Sequence, residues 1–180
     1  MSDFPAQLIR SAPRQVINAG GGVHIGSIDL AESAAAASYP AANRALYFPI
    51  LIDRFCKITQ MWCFNGTVEK GKIDMGIYDE AKNRLVNKGL TTQTGTSTLQ
   101  LLDITDTTLV PGLYYFAITA TSTETTFFRG VINVLKQRAH GVQQQALGAE
   151  VELPTTATFA NPASTYIPVF GASLSDAAVI

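Results

Sequence analysis

The sequence predicts a mainly β fold, an antiparallel β-sandwich of jelly-roll-like type with an extended N-terminal arm and one short helix. Two observations lead to it. Between Lys72 and Ile118 short apolar runs are interrupted at near-regular intervals by turn residues, the pattern of several short strands that each bury one face. Within the first run, Ile73, Met75 and Ile77 share one side while Asp74 and Gly76 take the other, because successive strand side chains point to opposite faces of a sheet.

Taken in order, residues 1–42 read as an arm. Gly20-Gly21-Gly22, an alanine run and Pro5, Pro13 and Pro40 break any sustained period there. Val23, Ile25, Ile28 and Leu30 form a brief apolar segment suited to an edge strand or to lying along a partner. The stretch from Ala31 to Ser38 reads as a helical turn or linker. Ordering so glycine- and alanine-rich a segment costs entropy that contact with neighbouring subunits would offset, so the arm is expected to act as an assembly clamp.

Residues 43–171 are expected to form the β domain. Arg44 to Phe48 reads as a strand ended or bulged by Pro49, which cannot donate to a central ladder, with Ile50-Leu51-Ile52 continuing the apolar run. Cys56 to Phe64 is the next strand, and Asn65-Gly66 is a favoured hairpin pair, although Thr67 to Gly71 points to a longer loop. Strands follow at Ile73 to Tyr78, Leu85 to Lys88, Thr98 to Leu102 and Leu113 to Ala120, the last of them central. Asp79 to Arg84 supplies polar turn chemistry, and Val110-Pro111-Gly112-Leu113 sets a tight turn. The polar stretches 91–98 and 121–126 are expected as exposed loops. Val131, Val134 and Leu135 have helical spacing, with Gly141 as the stop. Tyr166 to Phe170 reads as a final strand that Pro168 confines to an edge or bulge, and residues 172–180 as a peripheral tail.

The wording of these segments carries a resemblance. DMGIYD (74–79), RLV (84–86), TGTSTLQ (94–100), DITDTTL (103–109), PGLYYFAI (111–118), FFRG (127–130) and TYIPVFG (165–171) resemble a family of small virion structural proteins of tailed bacteriophages, of head-decoration or tail-fibre type. The similarity covers roughly residues 43–171, and its motifs are fold motifs rather than reaction motifs. It implies a non-enzymatic β-rich building block that decorates or cements a head or forms part of a fibre. It further implies other virion proteins as partners, a homo-oligomer with three as its number, and a place in the virion after synthesis in the host cytoplasm. The alternative is a receptor-binding module that recognises host surface glycan.

Composition agrees with an assembly subunit. In 180 residues, 47% are hydrophobic and only 15% charged, against about 25% charged in average soluble proteins, so the surface is expected to hide apolar area against neighbours. A formal charge of -1 offers no field for nucleic acid, which is bound through clustered Lys and Arg. No apolar run is long enough to cross a membrane as a helix, and no secretory leader is read at the N-terminus. Cys56 and Cys63 lie seven strand residues apart, roughly 23 Å, well beyond the reach of about 7 Å between Cα atoms that a disulfide allows. Their odd separation places them on opposite faces, as reduced, packed thiols.

No catalytic, cofactor or metal site is expected. His24 and His140 have no metal-ligand or triad spacing. The triple glycine lacks the Lys-Ser/Thr pair of a phosphate loop. Asp74, Asp79, Asp103 and Asp106 are the best candidates for a cation or sugar site, since calcium takes carboxylate and carbonyl oxygens, but Asp beside a strand end more often closes a local turn. Trp62, Tyr114 and Tyr115 are the candidate sugar-stacking aromatics. Core packing is favoured for Trp62, which shares a face with Ile58 and Phe64, and for at least one tyrosine, with Tyr115 taken as a core position.

Overall fold

The computed structural model describes residues 16–19, 22–27, 33–130, 134–149, 151–163 and 165–175. The chain is mainly β, with antiparallel sheets and one short helix among the described residues. The strands are β1 (Val16–Ala19), β2 (Gly22–Gly26), β3 (Ser33–Ser38), β4 (Arg44–Ile52), β5 (Cys56–Phe64), β6 (Lys72–Tyr78) and β7 (Arg84–Asn87). After them come β8 (Thr91–Thr92), β9 (Leu99–Leu109), β10 (Gly112–Ala120), β11 (Thr126–Gly130), the helix α1 (Val134–Ala139), β12 (Gln143–Ala146) and β13 (Phe170–Leu174).

One sheet has the order β1-β2-β13-β5-β9 and the other β12-β4-β10-β6-β7, with β8 also on β6; β3 and β11 form a separate ribbon. The two large sheets share one apolar core, to which β6 gives Ile73, Met75 and Ile77, β10 gives Phe116 and Ile118, and β5, β9 and β13 contribute from the opposite side. This arrangement is consistent with a β-sandwich. The parity read from the Ile73 run holds, and the Leu113 strand is central, flanked by β4 and β6. The hairpin after Tyr78 also forms, with Asp79 Oδ1 accepting from Asn83 N–H at 2.8 Å.

The far face of the β4-β10-β6 sheet is covered too. Ala45, Tyr47, Tyr78 and Ala117 pack there against Leu153 and Ala157 of the segment 151–160, so β4 is buried on both faces from Ala45 to Phe48. Pro49 neither ends nor bulges this strand, which runs on to Ile52. Pairing with β12 stops at Gln143↔Tyr47, so a missing N–H at Pro49 breaks no ladder bond on that side.

Several expectations are corrected by packing that connects residues far apart in sequence. Residues 33–39, read as part of the arm, pair β3 with β11 and bury Tyr39, whose hydroxyl shares its one proton between the Arg44 and Ile118 carbonyls, 2.8 and 2.9 Å away. The alanine run is therefore a strand rather than a helical turn or linker, since pairing overrides helix propensity. Val23 and Ile25 lie on β2, which has a neighbour on each side, β1 and β13, and is not an edge strand. The final strand is Phe170–Leu174 rather than Tyr166 to Phe170. Ala172, read as the start of a peripheral tail, is buried between β2 and β5, and Pro168 forms an isolated bridge with Arg129 rather than part of a strand. Asn65-Gly66 turns no hairpin, because Asn65 bridges Phe127 and a Cβ on Gly66 would sit 2.5 Å from Thr126 Oγ1. The helix spans Val134–Ala139, followed by Gly141 at φ 67°. The expected positions 1–15, 20–21, 28, 30–32, 131–133 and 176–180 lie outside the described residues.

Candidate functional site

The four candidate carboxylates are dispersed. Asp103 and Asp106 are both exposed on β9; Asp103 stands opposite Gln60, and Asp106 pairs with Lys57 Nζ at 2.6 Å. Asp79 closes the β6–β7 turn. No group of three or more His, Cys, Asp or Glu able to hold a metal ion occurs among the described residues.

Asp74 is the exceptional one. It is fully buried on the far face of β6, where its Oδ2 accepts from Asn87 Nδ2 at 2.8 Å and from Leu153 N–H at 2.9 Å. Its Oδ1 is buried with no hydrogen-bond partner among the described residues. Burial raises the Asp74 pKa above its ordinary value of 3.8, Glu152 nearby pushes the same way, and the Asn87 and Leu153 donors offset part of the rise. The same residues hold the segment 151–160. Asn87 Nδ2 also donates to Glu152 Oε1 at 3.0 Å, Arg84 donates to the Leu153 carbonyl and lies 3.6 Å from Glu152, and the Tyr78 hydroxyl donates to the Pro154 carbonyl at 2.6 Å. This is a clamp on a chain segment, with each donor directed at backbone or at another clamp residue.

A second polar cluster, which the sequence reading missed, lies where the loops 65–71, 91–98 and 121–125 meet. Asn65 Nδ2 donates to the Thr94 carbonyl and to Gln100 Oε1 at 2.7 and 2.9 Å. Gln93 Nε2 donates to Asn65 Oδ1 and the Thr126 carbonyl at 3.1 and 2.8 Å. Gln93 Oε1 accepts from Lys70 N–H at 3.0 Å, and Gln100 Nε2 donates to the Thr92 carbonyl at 3.0 Å. All three amides are buried and each of their nitrogens and oxygens has a partner, as buried amides require. The stretch 91–98 is thus anchored rather than freely exposed, with Thr91–Thr92 paired to β6. Only long-range contact reveals the cluster, because Asn, Gln and Thr in a polar stretch look like any loop.

The candidate aromatics are largely committed to packing. Trp62 and Tyr114 are buried in the main core cluster. Tyr115, expected in that core, points instead to the far face, where it is half-buried with its ring 4.7 Å from that of Phe159; the alternation along β10 gives the core position to Tyr114. The cysteines are free and buried, and both belong to the main core. Their expected placement on opposite faces fails because an irregularity after Ile58 shifts the β5–β9 register and resets the alternation, so that Cys56 and Ile58 precede it and Met61 and Cys63 follow it as core positions. Burial raises both thiols' pKa values, which leaves them poor nucleophiles. His24 lies on β2 opposite Ser173, and His140 follows α1, far from it in sequence.

The surface also carries large apolar side chains. Leu99 and Leu101, alternate residues of β9, are 40% and 51% exposed, while Phe55 and Val110 are 58% and 50% exposed in the β4–β5 and β9–β10 connections. Those connections are neighbours, because Cys56 pairs with Leu109 and Ile52 with Gly112. In comparisons with known proteins, the chain matches no family model and no curated sequence.

Proposed function

We propose that this chain is a non-enzymatic structural protein of a tailed-bacteriophage particle, made in the host cytoplasm and built into the virion, where it decorates or cements the head or forms part of a fibre. The observation that carries the reading is the division of labour among side chains. Asp74, Asp79 and the buried amides and thiols hold the fold together, while large apolar side chains at Phe55, Leu99, Leu101 and Val110 face outward, as suits a surface covered by neighbours. The resemblance adds the virion setting. Its motifs fall on fold-forming elements, DMGIYD on β6 and PGLYYFAI on β10. In this reading the fold is a jelly-roll-like sandwich, since β4, β5 and β6 step between the two large sheets and β9 and β10 do so again. The partners are other virion proteins and copies of this chain, with three the number that the resemblance implies.

Mass spectrometry of purified particles, with antibody labelling in electron micrographs, tests the assignment. The protein is expected at a fixed copy number on one structural component, and its absence from particles would overturn the reading. A glycan array on the purified chain is expected to be blank; a specific signal would favour the receptor-binding alternative.

A further inference from the structure

We infer that the outer edge of β9 is a self-association surface, which pairs antiparallel with β9 of a second copy across a two-fold axis at Gln100. The inference deepens the self-association in the proposed function and rests on it only for biological setting. β9 is the last strand of its sheet and pairs, among the described residues, only with β5. Terminal strands are ordinarily guarded against such pairing by Lys, Pro, bulges or shortness. β9 has 11 residues without Lys, Arg or Pro, and its irregularity lies beyond Asp103, so none of these guards lies between Leu99 and Leu102.

Backbone direction fits the same half. The Thr98 carbonyl accepts from Asn65 N–H, next to β5, at 2.9 Å. Because the N–H and C=O groups of successive strand residues alternate sides, Gln100 and Leu102 direct theirs toward β5, and Leu99, Leu101 and Asp103 direct theirs outward. The two residues with exposed leucine side chains therefore also carry edge amides that pair with no other strand among the described residues.

Register decides the occupant. A two-fold pair that keeps the outward face outward must set residues of the same parity opposite each other. An axis at Leu101 places Leu99 against the partner's Asp103, an axis at Leu102 places Leu101 against the partner's Asp103, and an axis at Asp103 opposes two carboxylates. Only the axis at Gln100 sets Leu99 against the partner's Leu101 in both directions. It gathers four leucines into one patch and lets Leu99 and Leu101 exchange N–H···O=C bonds with their counterparts. A second copy is thus the complementary occupant. The contact is small and two-fold, so it adds to a three-fold ring rather than building one, and on a particle it would gain strength from multivalency.

Sedimentation of the purified chain at high-micromolar concentration is the direct test. Even-numbered species are expected, and Leu101→Lys, with Leu99→Lys as the second variant should the first fold poorly, is expected to abolish them without lowering the melting midpoint. Register is read by oxidising a mixture of Leu99→Cys and Leu101→Cys chains, which should cross-link far more than either variant alone. Wild-type protein that stays monomeric, or association that both lysine variants leave intact, would overturn the inference. The two readings separate cleanly: association unaffected by the lysines sinks the β9 contact and spares the particle assignment, whereas absence from particles sinks that assignment and leaves a measured β9 dimer standing.

Discussion

The two faces of β6 are buried by different means. On one, Ile73, Met75 and Ile77 meet the opposite sheet with no polar atom among them; on the other, Asp74 and Tyr78 bind the backbone of the segment 151–160, and Gly76 brings Val86 close enough that a Cβ would lie 2.7 Å from its carbonyl. The first face is held by volume and apolar area, which are non-directional and indifferent to pH. The second adds to its smaller apolar cluster a set of directed bonds, several of them made by ionisable groups. One strand thus separates a face expected to melt only with the whole from a segment expected to open more readily.

The largest effect that should expose this difference is Ile77→Ala, expected to cost about 2–5 kcal/mol by chemical denaturation, with no change in the relative protection of the 151–160 amides from hydrogen exchange. A selective loss there would mean the two faces are not independent.

Asp74→Ala comes next, at about 1–3 kcal/mol, since it leaves the Leu153 N–H and the Asn87 amide without their acceptor. It should raise exchange at Leu153 before it affects Ile73 or Ile77. The pH response sharpens the contrast. The folded-state pKa of Asp74 is raised, so the folded chain holds its proton more tightly than the unfolded one. Its contribution is fully favourable below the ordinary carboxylate value and is lost as pH rises through the higher folded value. Asp74→Asn should therefore flatten the fall in stability over the window that begins near pH 4, measured as the unfolding midpoint against pH. An unchanged slope would remove Asp74 as its source.

Tyr78→Phe, which deletes only the hydroxyl bonded to Pro154, should cost about 0.5–1.5 kcal/mol, again with looser 151–160 amides. Asp79→Ala, at the turn one residue beyond the strand, should cost under about 1 kcal/mol and leave both faces as they were; a loss as large as that of Ile77→Ala would show that the turn, rather than the faces, governs the strand.

The apolar face of β6 was legible because its period is local: Ile73, Met75 and Ile77 carry the pattern within seven residues. The clamped face was not, since Asp74 in an alternating strand reads as solvent-facing and nothing nearby announces Leu153 or Pro154. The same distinction explains the other outcomes. Phe116 and Ile118 were legible as a central strand, whereas Gly171, Ala172 and Ser173 hide a central strand among small residues without an apolar run. The cysteine parity failed because a register shift after Ile58 leaves no mark in the sequence. Of the candidate carboxylates, Asp79 alone behaves as the turn-former its position suggested, and the amides Asn65, Gln93 and Gln100 meet only when the end of β5, the stretch 91–98 and the start of β9 fold together.

The position of β13 has a consequence for how the chain is made. It lies between β2 and β5, yet it follows both by more than a hundred residues in sequence, so the two strands it joins emerge from the ribosome long before their shared neighbour. At about 5–20 residues per second, the nascent chain carries two unsatisfied strand edges for seconds. The other large sheet is complete by residue 146 and can form on its own schedule. Synthesis therefore yields a half-built molecule with sticky edges, whose closure waits on β13, and chains cut short before Phe170 are the ones that proteases and chaperones should meet most often.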